Sequence, residues 1–400
     1  MSVVAVAMMV MNVATYGFNL VAARLLVPAE FGALTALLSL ILMANVVALA
    51  LQAAIARRIS VAPHHTQAII HTASRVALAV SLIVGLASAA TTVVLTPAFN
   101  FDSMWAVVFC GAMIVPLTLT GALMGVAQGT AQWRRLSLIF VGNGFGRLIG
   151  GVAALLVHPS ATSAMIGLAV GAWLPVILGA GLLRAPGLGE LRSRRPLIAE
   201  TITSAATLLA YFAFSNVDAL IARGGFDAHD SGLYASGLIL TKSTLFLPQF
   251  VSVVFFPSLA RDSSHRTRLR AAGLVALLGL AVVAGAAVLP KLALILVGGD
   301  QYAEITDDLW LFAVSGTFLA IVYLLVFDAL ARRENGVAIL VWIATATVFC
   351  VAYFNRIGIV GLVTTMAITA AALSAVLLVW PLIRRSPEQE ETAVTEPPVL

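Results

Sequence analysis

The sequence predicts an all-α integral membrane protein with about 12 transmembrane helices, set as two six-helix parallel-repeat halves around a central cavity. Three observations carry that prediction. Hydrophobic residues make up 61% of the 400 residues and charged residues only 10%, and the mean hydropathy is +1.03. The apolar residues gather in runs of about 20, the length that crosses a bilayer's hydrocarbon. Arginine recurs in every second connection between those runs.

The composition sets the solvent. A soluble domain carries about 25% charged residues, so most of this chain is built for lipid. The net charge of +5 does not point to nucleic acid, because the arginines fall between apolar runs and do not line one polar face. Cys110 and Cys350 lie inside apolar runs and read as buried thiols. No N-x-[ST], P-loop, HExxH or CxxC pattern is present.

The runs are 2–23, 32–56, 76–96, 104–126, 136–157, 162–183, 198–221, 232–256, 271–297, 308–331, 336–354 and 358–383. They are apolar on all sides and do not alternate, which favours helices over a barrel. The first run lacks a basic n-region and is too long for a signal h-region, so it reads as a spanning helix.

The loops set the topology. Arg57, Arg58 and Arg75 follow the second span, Arg134 and Arg135 the fourth, and Arg184, Arg192, Arg194 and Arg195 the sixth. Arg261, Arg266, Arg268 and Arg270 follow the eighth, Arg332 and Arg333 the tenth, and Arg384 and Arg385 the twelfth. Those are 17 of 23 Lys/Arg, all on one side. The other side holds Arg24, Arg223, Lys291 and Arg356 with the acidic stretches "FDAHD" and "GGDQYAEITDD". The positive-inside rule then makes both termini cytoplasmic. The expected units are a six-helix half over 1–183, a basic linker over 184–197, a second half over 198–385 and an acidic disordered tail over 386–400. Six is an even number, so repeated halves insert the same way up.

An internal repeat supports this. In "GFNLVAARLLVPAEFGALTALL" and "NVDALIARGGFDAHDSGLYASGLIL", Ala23-Arg24 aligns with Ala222-Arg223 and Asn19 with Asp218. After one inserted residue, Glu30-x-Gly32 aligns with Asp230-x-Gly232. "AARLLVPAEFGALTALLSL" resembles the first hairpin of polysaccharide and lipid-linked oligosaccharide flippases. These form the polysaccharide-transport branch of the MOP (multidrug/oligosaccharidyl-lipid/polysaccharide) exporter superfamily. "NVDALIARGGFDAHDSGLYASGLILTKSTLFLPQFVSVVFFPSLAR" resembles that branch's seventh and eighth helices, through Asp218, Gly232-Leu233-Tyr234, Pro248 and Pro257. Val27 stands where the family often has Gly, and Lys242 where Arg is frequent. The drug-exporting branch commonly has an acid in its first helix, whereas here that helix offers Asn12, Thr15, Tyr16 and Asn19.

The candidate site rests on charges inside spans. A central Arg or Lys costs about 3 kcal/mol on the insertion scale, and such residues turn towards a partner or a wet cavity. Arg147 sits amid "LSLIFVGNGFGRLIGGVAALLV", beside Gly142, Gly146 and Gly150, whose spacing lets a neighbouring helix approach. Lys242 lies about ten residues into the eighth span. One reading makes both line a cationic lumen between the halves, with Arg24 and Arg223 at its outer rim. Asp218, Asn143 and Gln249 complete the candidate substrate contacts. The structural alternative is pairing, of Asp218 with Lys242 or Arg223 and of Asp328 with Arg332, with Arg24 and Arg223 merely interfacial. Asn12, Asn45, Gln52 and Asn216 offer further polar contacts to sugars or to neighbouring helices, and Pro116, Pro175, Pro248 and Pro257 are expected to bend their helices. His64, His65 and His71, expected in a loop, have no metal-site company.

A cationic lumen suits a diphosphate headgroup whose polyprenyl tail stays in lipid. The function expected is therefore a flippase moving a polyprenyl-diphosphate-linked oligosaccharide or polysaccharide precursor from the inner to the outer leaflet of a bacterial cytoplasmic membrane. The alternative is a small-molecule exporter of MOP or major-facilitator type, although "RRISVAPHHTQ" lacks the major-facilitator motif. An enzyme is disfavoured because no catalytic constellation emerges and the connections on the acidic side are short. No cofactor or metal is expected. The partners expected are the lipid-linked saccharide, membrane lipids and glycosyltransferases or a polymerase of the same pathway, with no nucleic acid. The six-plus-six plan permits a monomer.

Overall fold

The computed structural model describes residues 2–183, 195–245, 265–331 and 336–383. The helices are α1 (Ser2–Leu25), α2 (Pro28–Ala44), α3 (Val46–Val61), α4 (Thr66–Ala90), α5 (Thr92–Ala98), α6 (Met104–Gly129), α7 (Trp133–Val157), α8 (Ala161–Gly171) and α9 (Trp173–Gly179). They continue with α10 (Arg195–Phe214), α11 (Val217–Gly225), α12 (Ala228–Thr244), α13 (His265–Val288), α14 (Pro290–Val297), α15 (Leu309–Ala331), α16 (Val337–Asn355) and α17 (Ile359–Ile383). Among the described residues, ten helical segments are long and apolar enough to cross a membrane. The bent pair Ala205–Phe214 and Val217–Gly225 makes an eleventh, and α12 begins the eighth predicted span, whose later part lies outside the described residues. The described residues thus give eleven helical spans and the start of a twelfth, in keeping with the expected all-helical plan.

Several spans differ in detail from the sequence reading. The third starts about ten residues early, at Thr66, so His71 and Arg75 are helical and not in a loop, and His64 and His65 form a 3-10 turn. Hydropathy marks the part of a helix that lipid covers, and this helix continues beyond it. The ninth run is cut at Leu289-Pro290 into α13 and the short α14. Proline supplies no N–H and clashes with a helical residue before it, and Leu289 accordingly sits at φ −121°, ψ 58°. Gly298 and Gly299, at φ 141° and 94°, then turn the chain into a 3-10 stretch at Asp300–Asp308. Helix α6 runs unbroken through Pro116, and the sixth span breaks at Ala172, before Pro175. Cys110 is buried as expected, but Cys350 is exposed. The basic stretch 184–194, Pro248, Pro257 and the tail 386–400 lie outside the described residues.

Helix starts follow local chemistry. Ser103, Ser160 and Asp227 accept backbone N–H groups at the first turns of α6, α8 and α12. The backbone N–H of Ala161 donates to Glu30 Oε2 at 2.6 Å, tying the starts of the second and sixth spans together. Residues 2–183 meet residues 195–383 mainly through α2 and α3, which pack on α10, α11 and α12. The two aligned glycines lie at this contact. A Cβ added to Gly32 would lie 2.8 Å from Ser231 Oγ and 2.9 Å from Gly232 N, and one on Gly232 would strike the Pro28 carbonyl.

Candidate functional site: cations inside the bundle

Helix α7 sorts its side chains by direction. Leu138, Phe145, Ile149 and Leu156 are exposed and form one stripe, as lipid-facing residues do. Gly146 and Gly150 pack on Gly171 and Gly167 of the sixth span, so the glycine series works as expected. Gly144 and Gly151 pack on Met11, Ala14 and Phe18 of α1. Arg147 is two positions from both Phe145 and Ile149, about 200° round the helix from the lipid stripe. It therefore points between the first and sixth spans. It is half-buried, and among the described residues its buried Nε has no hydrogen-bond partner. One turn earlier, Asn143 Nδ2 contacts Met11 Sδ at 3.5 Å, while the buried Oδ1 has no partner. Helix α7 packs on α1, α6, α8 and α9. Arg147 thus points between α1 and α8, both of the first six spans.

Lys242 differs. Its Nζ donates to Ser215 O at 2.9 Å and to Asn216 Oδ1 at 2.6 Å. Those acceptors form the break between α10 and α11, where the seventh span bends by 47°. Asp218, also buried, accepts from Tyr234 Oη at 3.0 Å and from the backbone N–H of Ala219 at 2.9 Å. Lys242 bonds to the break and also lies within electrostatic reach of Asp218, so the Asp218–Lys242 pairing offered as the structural alternative takes the form of a network around a broken helix. Asp328 pairs with Arg268 of the ninth span at 2.5 Å; Arg332, the partner the sequence suggested, and Gln249 lie outside the described residues.

The two aligned arginines are also engaged. Arg223 is 3% exposed and donates to Phe99 O at 3.2 Å, Ala29 O at 3.3 Å and Asn100 O at 2.6 Å, with Phe101 under its guanidinium. Arg24 donates to Ile295 O at 3.0 Å, and Tyr16 Oη to Leu296 O at 2.9 Å. Tyr302 Oη and Gln301 Nε2 both donate to Ala23 O. Each arginine thus reaches from its own set of spans to carbonyls of the other set, and together they clasp the acidic-loop face. Arg223 is not a free rim cation, which corrects the sequence reading. Sequence inspection missed the acceptors because they are main-chain carbonyls, whose positions no side-chain motif reports. The polar Ser215-Asn216 pair inside an apolar run was the available sign of the break.

No family model and no curated protein matches this chain. An inward-facing multidrug-resistance MATE-family transporter of the MOP superfamily superposes with a TM-score of 0.74 at 11% identity, covering 98% of this chain and 96% of the other. Lipid II flippase MurJ, in an inward closed conformation, gives 0.71 at 11% identity, with 96% and 88% covered. This chain has the MOP-superfamily fold. An outward-facing MATE-family transporter of the same superfamily gives 0.68 at 13% identity, with 99% and 96% covered. Within the MOP fold, the clasped arginines lie on one face, and Arg147 is the cation among the candidates whose buried nitrogen has no partner.

Proposed function

We propose that this protein is a flippase that moves a polyprenyl-diphosphate-linked oligosaccharide or polysaccharide precursor from the inner to the outer leaflet of a bacterial cytoplasmic membrane. Arg147 carries the reading. It is a guanidinium held opposite the lipid stripe, half-buried, with a buried Nε that meets no acceptor among the described residues. On this reading its exposed remainder opens onto the headgroup path, where a diphosphate supplies the missing acceptors. The tail remains in lipid, so only the headgroup requires a polar path. The arginine clasp closes the acidic-loop face, and the higher TM-score with an inward-facing than with an outward-facing MOP transporter, 0.74 against 0.68, fits that state. With both termini cytoplasmic, loading occurs from the inner leaflet, and release requires the clasp to open.

The test is export of lipid-linked saccharide in cells carrying Arg147→Ala. Loss of a charge-assisted phosphate contact lowers export by about 10- to 100-fold while insertion is unchanged. Wild-type export by that variant removes Arg147 from the mechanism. The multidrug transporter among the structural neighbours supports a second reading, small-molecule export. Drug resistance conferred by the wild type, with no change in saccharide export on deletion, selects it.

A further inference from the structure

Where a spanning helix breaks, backbone carbonyls lose their helical donors and must find a hydrogen bond or a cation, because lipid offers neither. The seventh span breaks in this way at Ser215-Asn216. There Ser215 O and Asn216 Oδ1 converge on a single point, and that point is Lys242 Nζ, at 2.9 and 2.6 Å. The amide is oriented by its other end, since Asn216 Nδ2 donates to Phe212 O at 2.8 Å and to Ser215 Oγ at 3.1 Å. The buried Asp218 carboxylate lies close enough to act on the lysine electrostatically and is fixed by Tyr234 and by its own helix start.

We infer that Lys242 is a tethered cation filling an alkali-ion site at the seventh-span break, so that the protein's conformational cycle needs no bound sodium or potassium. A main-chain carbonyl, an amide oxygen and a neighbouring carboxylate are hard oxygen donors of the kind that hold alkali ions in membrane proteins. A primary ammonium is a compact point charge able to take their place. With Lys242 present, the Asp218 charge is answered. Without it, a buried carboxylate and two convergent oxygens face no counter-charge, a strongly unfavourable state unless an ion enters.

The test uses the purified full chain and reads its melting temperature in sodium, potassium and choline chloride at equal ionic strength. Because it measures stability, its outcome is independent of what the protein transports. The wild type melts at the same temperature in all three salts. Lys242→Ala melts low in choline and gains about 3 °C or more, saturably, in sodium or potassium. Adding Asn216→Ala to that variant abolishes the gain. Recovery of folding in sodium or potassium alone, where Lys242→Ala fails to fold in choline, is the same result in stronger form. A wild type that is itself stabilised by sodium or potassium overturns the inference. So does a Lys242→Ala protein that melts alike in every salt, or that folds in none of them while Lys242→Gln, which keeps an amide donor, folds.

Discussion

Arg147 and Lys242 both lie well inside apolar helices, yet their surroundings answer them differently. Lys242 sits beside a broken helix whose freed oxygens accept two hydrogen bonds, with a carboxylate nearby. Arg147 sits on an unbroken helix between two glycine-lined contacts, and its buried Nε has no hydrogen-bond partner among the described residues. The cost of burying a charge is thus offset locally at one site and left open at the other. The comparison teaches that depth alone does not mark a substrate cation. The nearest acceptors decide.

Four experiments break or sharpen the contrast, beginning with the largest effect. Arg147→Met is expected to lower export about 10- to 100-fold while leaving the melting temperature equal or higher, because no carboxylate loses a partner. A large drop in stability would instead mark Arg147 as structural. Arg223→Ala removes three hydrogen bonds from a buried guanidinium, and denaturant titration is expected to show a loss of about 3 kcal/mol. Lys242→Ala in choline is expected to lose about 2 kcal/mol by the same titration, since two acceptors lose their donor. The smallest effect belongs to Arg24→Ala. It removes one exposed hydrogen bond, so stability is little changed, but a cysteine placed at the buried Ala23 should become more reactive to outside reagents as the clasp loosens. Unchanged reactivity would confine the clasp to Arg223.

Much of the fold was legible because run length and loop charge act locally. Each helix from Met104 to Val157 begins and ends within a few residues of its apolar run. Boundaries failed where something other than hydropathy ruled: Pro290 divided the ninth run, and the third helix continued past its apolar part to Thr66. The aligned motifs did bring Gly32 to Gly232. The candidate site was less legible. Arg147's isolation was foreshadowed by the lack of any acid in its own span. The roles of Lys242 and Arg223 depend on carbonyls of Ser215, Phe99 and Asn100, and every residue type has a carbonyl.

The meeting of Gly32 and Gly232 has a mechanical consequence. At that point two backbones meet with no side chain between them, so sliding or parting there meets little steric resistance. Resistance to parting then resides in the polar latches around the joint, which water can replace bond for bond, and in apolar side chains of α2 and α12 such as Phe31, Leu34 and Leu233, which are buried in the core. A bulky side chain at either position would act as a doorstop, propping the acidic-loop face ajar and biasing the molecule towards its other state.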